Sequence, residues 1–186
     1  AVTASNATYP AANVAVGSGT DNITYLSSTT SSLSYHGGNI SVQSVQATLN
    51  YTSPAVYAAY PMTLIVSGNS AIGGSINVTS PQNASGTFTG NSIAVADGTG
   101  TLVLSGGTYT DVMRVSITQT LDFVVGGIFS GTLVMTAYEW YGGGIKEPLF
   151  TITSGTANVL GQTHIETLAS QNKTSTGTTR STPFTT

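Results

Sequence analysis

Seven of the chain's eleven asparagines open an Asn-X-Ser/Thr triplet: Asn6, Asn22, Asn39, Asn50, Asn77, Asn83 and Asn172, and proline never stands at X. The side-chain amide nitrogen of such a triplet accepts an N-linked glycan, a modification of exported chains that needs the site at the surface. With 32 Thr and 23 Ser among 186 residues, random order places about three triplets on eleven asparagines. The excess is the strongest chemical signal in the sequence.

Other candidate groups fall short of a reaction. His36 and His164 are the two imidazoles. Zinc or a Ser-His-Asp triad needs carboxylates beside them, yet His36 adjoins Gly37-Gly38 in a loop-like stretch and His164 opens a short strand. Asp97-Gly98 is an ordinary turn dipeptide, and neither it nor Asp111 belongs to the acid cluster that calcium favours. Glu139 and Glu147 flank Trp140, Tyr141 and Gly142-Gly143-Gly144. Two carboxylates are the minimum for glycoside hydrolysis, but a Gly-rich loop with an aromatic is also a plain strand connection. Tyr138, Trp140 and Tyr141 are a possible aromatic platform for sugar. Alternation instead favours Trp140 on a strand face, closing one end of the core. Lys146, beside Glu147 and Pro148, invites comparison with a Lys–Asn/Asp isopeptide staple, against the exposed position that lysine usually takes. Without cysteine there are no disulfides, thiolate metal sites or thiol nucleophiles. The expectation is a non-enzymatic chain with no catalytic residue, cofactor or metal.

Composition points to a polymeric or glycan-coated surface protein. Charged residues make up 6% of the chain, against roughly 25% in an ordinary soluble domain. Mean hydropathy is +0.16. Charge normally keeps a protein soluble, so hydroxyls and sugars must hydrate this one. Seven acids and four bases allow few ion pairs, so acid has few to break. A net charge of −3 with no basic cluster argues against nucleic acid. No apolar run reaches transmembrane length, so no membrane span is expected. The start Ala1-Val2-Thr3 resembles the product of signal-peptide cleavage, so export through a cleaved signal is expected.

The elements that must carry these groups are strands. Thr, Ser, Val, Ile, Tyr and Gly dominate. From Met113 to Val125, apolar residues alternate with polar ones, Gln119 being the polar exception on the apolar parity, which predicts a long half-buried strand. Ile40 and Val42 hold one phase and Val45, Ala47, Leu49 and Tyr51 the other, predicting a bulge near Gln43 or Ser44. Residues 62–78 read as a hairpin turning at Ser67-Gly68-Asn69, and 93–104 as another turning at Asp97-Gly98-Thr99-Gly100. Leu133 to Trp140 forms a strand, followed by short ones at 149–153, 157–160 and 163–168. The fold class is all-β, an Ig-like or jelly-roll β-sandwich.

Three regions follow: 1–17, 18–170 and a polar, Thr-rich tail at 171–186. The first is small and apolar, split at Pro10 and joined to the rest by Gly17-Ser18-Gly19. It suits either a domain's own first strand or a donor strand added to a neighbour's sheet. A glycan on Asn6 would turn Val2 and Ala4 outward, leaving Ala7 and Tyr9 inward. Beyond Pro10 the inward set is Ala12, Val14 and Val16.

A short, cysteine-free, hydroxyl-rich, sequon-dense β chain with an apolar N-terminal extension resembles the subunits of archaeal thread filaments from thermoacidophiles. The resemblance covers composition and layout along the whole chain. It carries over residue by residue only the seven sequon asparagines and the 1–16 extension. It implies donor-strand complementation, similar in architecture to bacterial chaperone–usher pilins, in a glycosylated surface pilus serving adhesion or biofilm. The partners implied are identical subunits, head to tail, and N-linked glycans. An archaeal bundling pilin is the neighbouring possibility. The alternatives from other classes are a secreted carbohydrate-binding or adhesin module and a capsid or S-layer jelly roll. Most of the seven sequons should be occupied in native material. Intact-mass analysis checks this, and a native mass of the bare 18.9 kDa would contradict it; Asn69, Asn91 and Asn158 should be unmodified.

Overall fold

The structure, a computed structural model, describes residues 7–18, 22–42, 45–64, 67–127, 129–142, 148–159, 162–171 and 183–184. The strands are β1 (Val14–Ser18), β2 (Asn22–Ser28), β3 (Ser32–Val42), β4 (Val45–Ala59), β5 (Ser67–Ser80), β6 (Ala84–Leu104), β7 (Gly107–Val125), β8 (Phe129–Tyr141), β9 (Phe150–Val159), β10 (Gln162–Gln171) and β11 (Pro183–Phe184). The chain is all-β, as expected. One antiparallel sheet curls into a half-barrel, a shape compatible with the sandwich class. Each strand pairs with the next in sequence, from β1 to β11. This winding is a meander. A Greek key needs a long connection that carries the chain past its neighbour, and here even the 60–66 connection joins adjacent strands β4 and β5.

Several boundaries differ from the sequence expectations. The phase change at 42–45 is a chain reversal, not a bulge: Val42 pairs with Val45 and Ile40 with Ala47, so facing residues have opposite parity. The 62–78 hairpin is absent. β4 ends before Tyr60-Pro61, and Ser67-Gly68-Asn69 opens β5. Proline lacks the N–H that a continuing ladder requires. Asp97 to Gly100 is no turn either. It lies inside the long β6, where the register against β7 shifts between Ala96 and Gly98 and again between Gly100 and Leu102. Two bulges absorb the glycines that looked like a hairpin tip. The stretches at 149–153 and 157–160 are one strand, β9.

The core lies on the concave face. Leu49, Tyr51, Ile72, Phe88 and Leu121 form the centre of one cluster, while Ala94, Val115, Ile117 and Tyr141 form a second beside it. In β7 the expected alternation holds: Val115, Ile117, Gln119, Leu121 and Val125 are buried. The buried amide of Gln119 is satisfied, because Tyr51 Oη donates to its Oε1 at 3.3 Å and its Nε2 donates to Ser92 Oγ at 3.4 Å. A buried polar group that keeps its partners costs little.

Curvature is made possible by glycine on the concave side. A Cβ at Gly90 would lie 1.8 Å from the Thr120 carbonyl oxygen, and one at Gly74 would lie 2.0 Å from that of Asn50. Gly100 faces open space. Gly90→Ala should therefore cost about 2 kcal/mol or more, since backbone must move, while Gly100→Ala should stay within about 0.5 kcal/mol. Urea unfolding of the two variants checks the difference, and equal midpoints would contradict it.

Candidate functional site

The N-terminal segment sits at one edge of the sheet. Among the described residues β1 pairs with β2 alone, from Val14↔Leu26 to Ser18↔Asn22. Ahead of it the chain turns, with Ala12 N–H donating to the Tyr9 carbonyl at 3.0 Å. Tyr9 is 3% exposed. Its ring stacks on Tyr25 at 4.3 Å and 18°, and its hydroxyl donates to the Leu49 carbonyl at 2.6 Å. Burial, followed by the neighbouring Tyr25, raises the Tyr9 hydroxyl to about 12. Gly37 makes room for this ring: at φ +134° it occupies a conformation that favours glycine, and a Cβ there would lie 2.7 Å from the Tyr9 ring.

Asn13 then fastens the segment to the edge. Its backbone N–H donates to the Leu26 carbonyl at 2.9 Å. Its side-chain Nδ2 donates to the Ser28 carbonyl at 2.8 Å, and its Oδ1 accepts from the Ser28 N–H at 2.7 Å. The amide thereby imitates one more residue of strand pairing. Of the residues expected to point inward, Tyr9 and Ala12 are buried, Val14 is half-buried against the main core, and Ala7 and Val16 are exposed. The sequence did not single out Asn13, Tyr25 or Gly37. Gly37-Gly38 was visible as a local break, but its use by Tyr9 depends on a contact between distant segments.

Three of the sequon asparagines share a face. Asn39 pairs with Thr48, which pairs with Asn77, so these three lie in one row across β3, β4 and β5. Asn50, two residues beyond Thr48, pairs with Ser75 on the same side. Buried Ala47, Leu49 and Tyr51 take the opposite parity, so this row faces outward. Asn77 and Asn83 are exposed, and Asn39 and Asn50 are half-buried. Thr48 Oγ1 donates to Asn39 Oδ1 at 3.1 Å, which engages the amide oxygen and not the nitrogen that carries a glycan. In Asn39, Asn50 and Asn77 triplets the middle residue is Ile40, Tyr51 or Val78, each packed in the core cluster. Strand alternation thus places the acceptor and its hydroxyl partner together outside. Asn22 opens β2. Asn6 and Asn172 lie outside the described residues.

The remaining candidates are dispersed. His36 Nε2 lies 2.8 Å from Ser27 Oγ, and burial lowers its imidazole below the usual range. Among the described residues no three His, Cys, Asp or Glu side chains gather. Arg114 and Asp97 form an exposed ion pair at 2.8 Å. Glu147 and Lys146 lie outside the described residues. Trp140 does not close the core: Glu139 and Tyr141 on either side of it are buried, so Trp140 takes the outward parity. Comparison with family models, curated proteins and solved structures gave no match.

Among the described residues Glu139 is the buried acid. It is 8% exposed and accepts a hydrogen bond from the Tyr141 hydroxyl. Burial raises its carboxyl above the usual 4.5, and the Tyr141 bond opposes this only in part. A raised folded-state value makes its contribution to stability complete below pH 4.5 and lost as pH climbs through the folded value. Melting temperature should therefore rise from pH 7 to pH 4.5, and Glu139→Gln should flatten that rise by stabilising the neutral-pH end. Thermal unfolding by circular dichroism across this range checks it. A melting temperature that stays level or falls from pH 7 to pH 4.5 would contradict it.

Proposed function

We propose that the chain is the structural subunit of an extracellular, N-glycosylated surface filament. Subunits join head to tail when residues 7–18 of one copy take, on the next copy, the edge place they take here on their own sheet. The filament serves adhesion or biofilm, its subunits exported through a cleaved signal. One observation carries this proposal: residues 7–18 are fastened to a sheet edge by contacts that a second copy can supply equally well. Tyr9 enters the space at Gly37, Asn13 clasps Ser28, and β1 adds to β2. Exchange of an identical element between copies creates no new contact type, and a head-to-tail exchange propagates without closing. An extended strand added to an open edge contributes main-chain hydrogen bonds as well as pockets for alternate side chains. The outward row at Asn39, Asn50 and Asn77 lies on β3–β5, and Asn50 shares a register row with Gly37 and Tyr25, so the Tyr9 seat and these acceptor asparagines stand on one face.

Deleting residues 1–17 should give monomers, and a peptide of residues 1–18 should bind them and raise their melting temperature. In the full chain, Val14→Asp and Tyr9→Ala should each reduce polymer yield, because a charge or a void is then placed at the joint. Electron microscopy and sedimentation read the outcome. Filaments of normal diameter from the truncated chain would sink strand exchange and leave 1–17 as the domain's own first strand.

A further inference from the structure

The convex face carries a second feature at the end opposite the sequon row. Tyr138 and Trp140 share the outward parity of β8, Phe150 pairs with Trp140 across β9, and Arg114 pairs with it across β7. The Tyr138 and Trp140 ring centroids are 6.5 Å apart, those of Trp140 and Phe150 5.4 Å, with successive planes tilted by 45° and 46°. The Arg114 guanidinium carbon lies 5.3 Å from the Tyr138 ring centroid. Two hydrogen bonds pin it there, Nε to Asp97 Oδ1 at 2.8 Å and Nη2 to Asp97 Oδ2 at 3.1 Å.

We propose that this row binds an uncharged oligosaccharide carried by another molecule. Sugar rings offer apolar C–H faces that stack on aromatic rings, while their hydroxyls need donors and acceptors nearby. Here the rings supply the first, and the Arg114–Asp97 pair supplies the second. A guanidinium donates and a carboxylate accepts, and together they carry no net charge, so the face matches a neutral polyhydroxyl ligand and gives no advantage to an anion or cation. The pinned guanidinium has already lost the rotamer freedom that binding would otherwise cost. Successive tilts suit a saccharide whose units turn along the chain.

The source follows from where the described sequons lie. Asn50 reaches the β7 register through Ser75, Thr87 and Val124, and Asn77 pairs with Ser85, just before Gly86↔Val125. Trp140 pairs with Arg114, well back along β7 from Val125. Val125 and Arg114 are separated by roughly 35 Å of extended strand. The glycans of Asn50 and Asn77 therefore root far from the aromatic row, which leaves it open to sugar from elsewhere. This inference does not depend on the filament proposal.

The sole tryptophan of the chain, Trp140, reports on the row directly. The full chain, made in a host that adds no glycans, is titrated with neutral hexaoses of glucose, mannose, galactose and N-acetylglucosamine. At least one should shift Trp140 emission saturably, and calorimetry should show affinity falling about tenfold in Tyr138→Ala and in Arg114→Met. Val103→Ser, at an exposed β6 position away from the row, should bind as the parent does. The proposal is overturned if no hexaose gives a saturable change up to about 10 mM, the weak end of small-ligand affinity. It is also overturned if Tyr138→Ala binds as tightly as the parent.

Discussion

With no helix among the described residues to cover it, an eleven-stranded sheet can bury an apolar face only by curling that face onto itself. Everything else in this molecule follows from that constraint. The backbone ladders join each strand to the next, and the curl lets Leu49, Phe88 and Leu121 meet from different strands. Where curvature crowds the concave side, side chains have to disappear, and Gly74, Gly86 and Gly90 stand there with neighbouring backbone oxygens where a Cβ would go. The bulges at Ala96/Gly98 and Gly100/Leu102 add local twist along the longest strand.

A meander of this kind leaves its edges open, and an open edge is a template for another strand. The chain meets this at β2 with its own N-terminal segment. Tyr9 and Asn13 do the fastening with side chains, so a segment with only five residues in strand pairing is nonetheless held at several points. The same geometry that protects the edge in one copy is available for exchange between copies. Sparse charge belongs to the same picture. Much of the convex face is hydrated by Ser, Thr and Asn in place of charge, and several acceptor asparagines project from it.

Polar groups inside the core are few and matched. Gln119 is held between Tyr51 and Ser92, and Glu139 accepts from Tyr141. The second is a carboxyl placed where burial favours its neutral form. A fold with one exposed ion pair among its described residues and an inward acid that prefers its proton has little to lose at low pH.

The sequence by itself determined the all-β class, the long alternating strand ending at Val125 and the lack of thiol chemistry. These depend on a period of two and on composition, which are local properties. Alternation cannot tell a chain reversal from a bulge, because both change phase, so 42–45 was misassigned. Nor can glycine clusters tell a turn from a bulged strand, so 97–100 was misassigned as well. Only the tertiary structure decided which strands are neighbours, that Trp140 faces outward beside Phe150 and Arg114, and that Tyr9 fits the space above Gly37. Each of these depends on cross-strand register and on the direction of curl, and both are fixed by contacts between segments far apart in the chain.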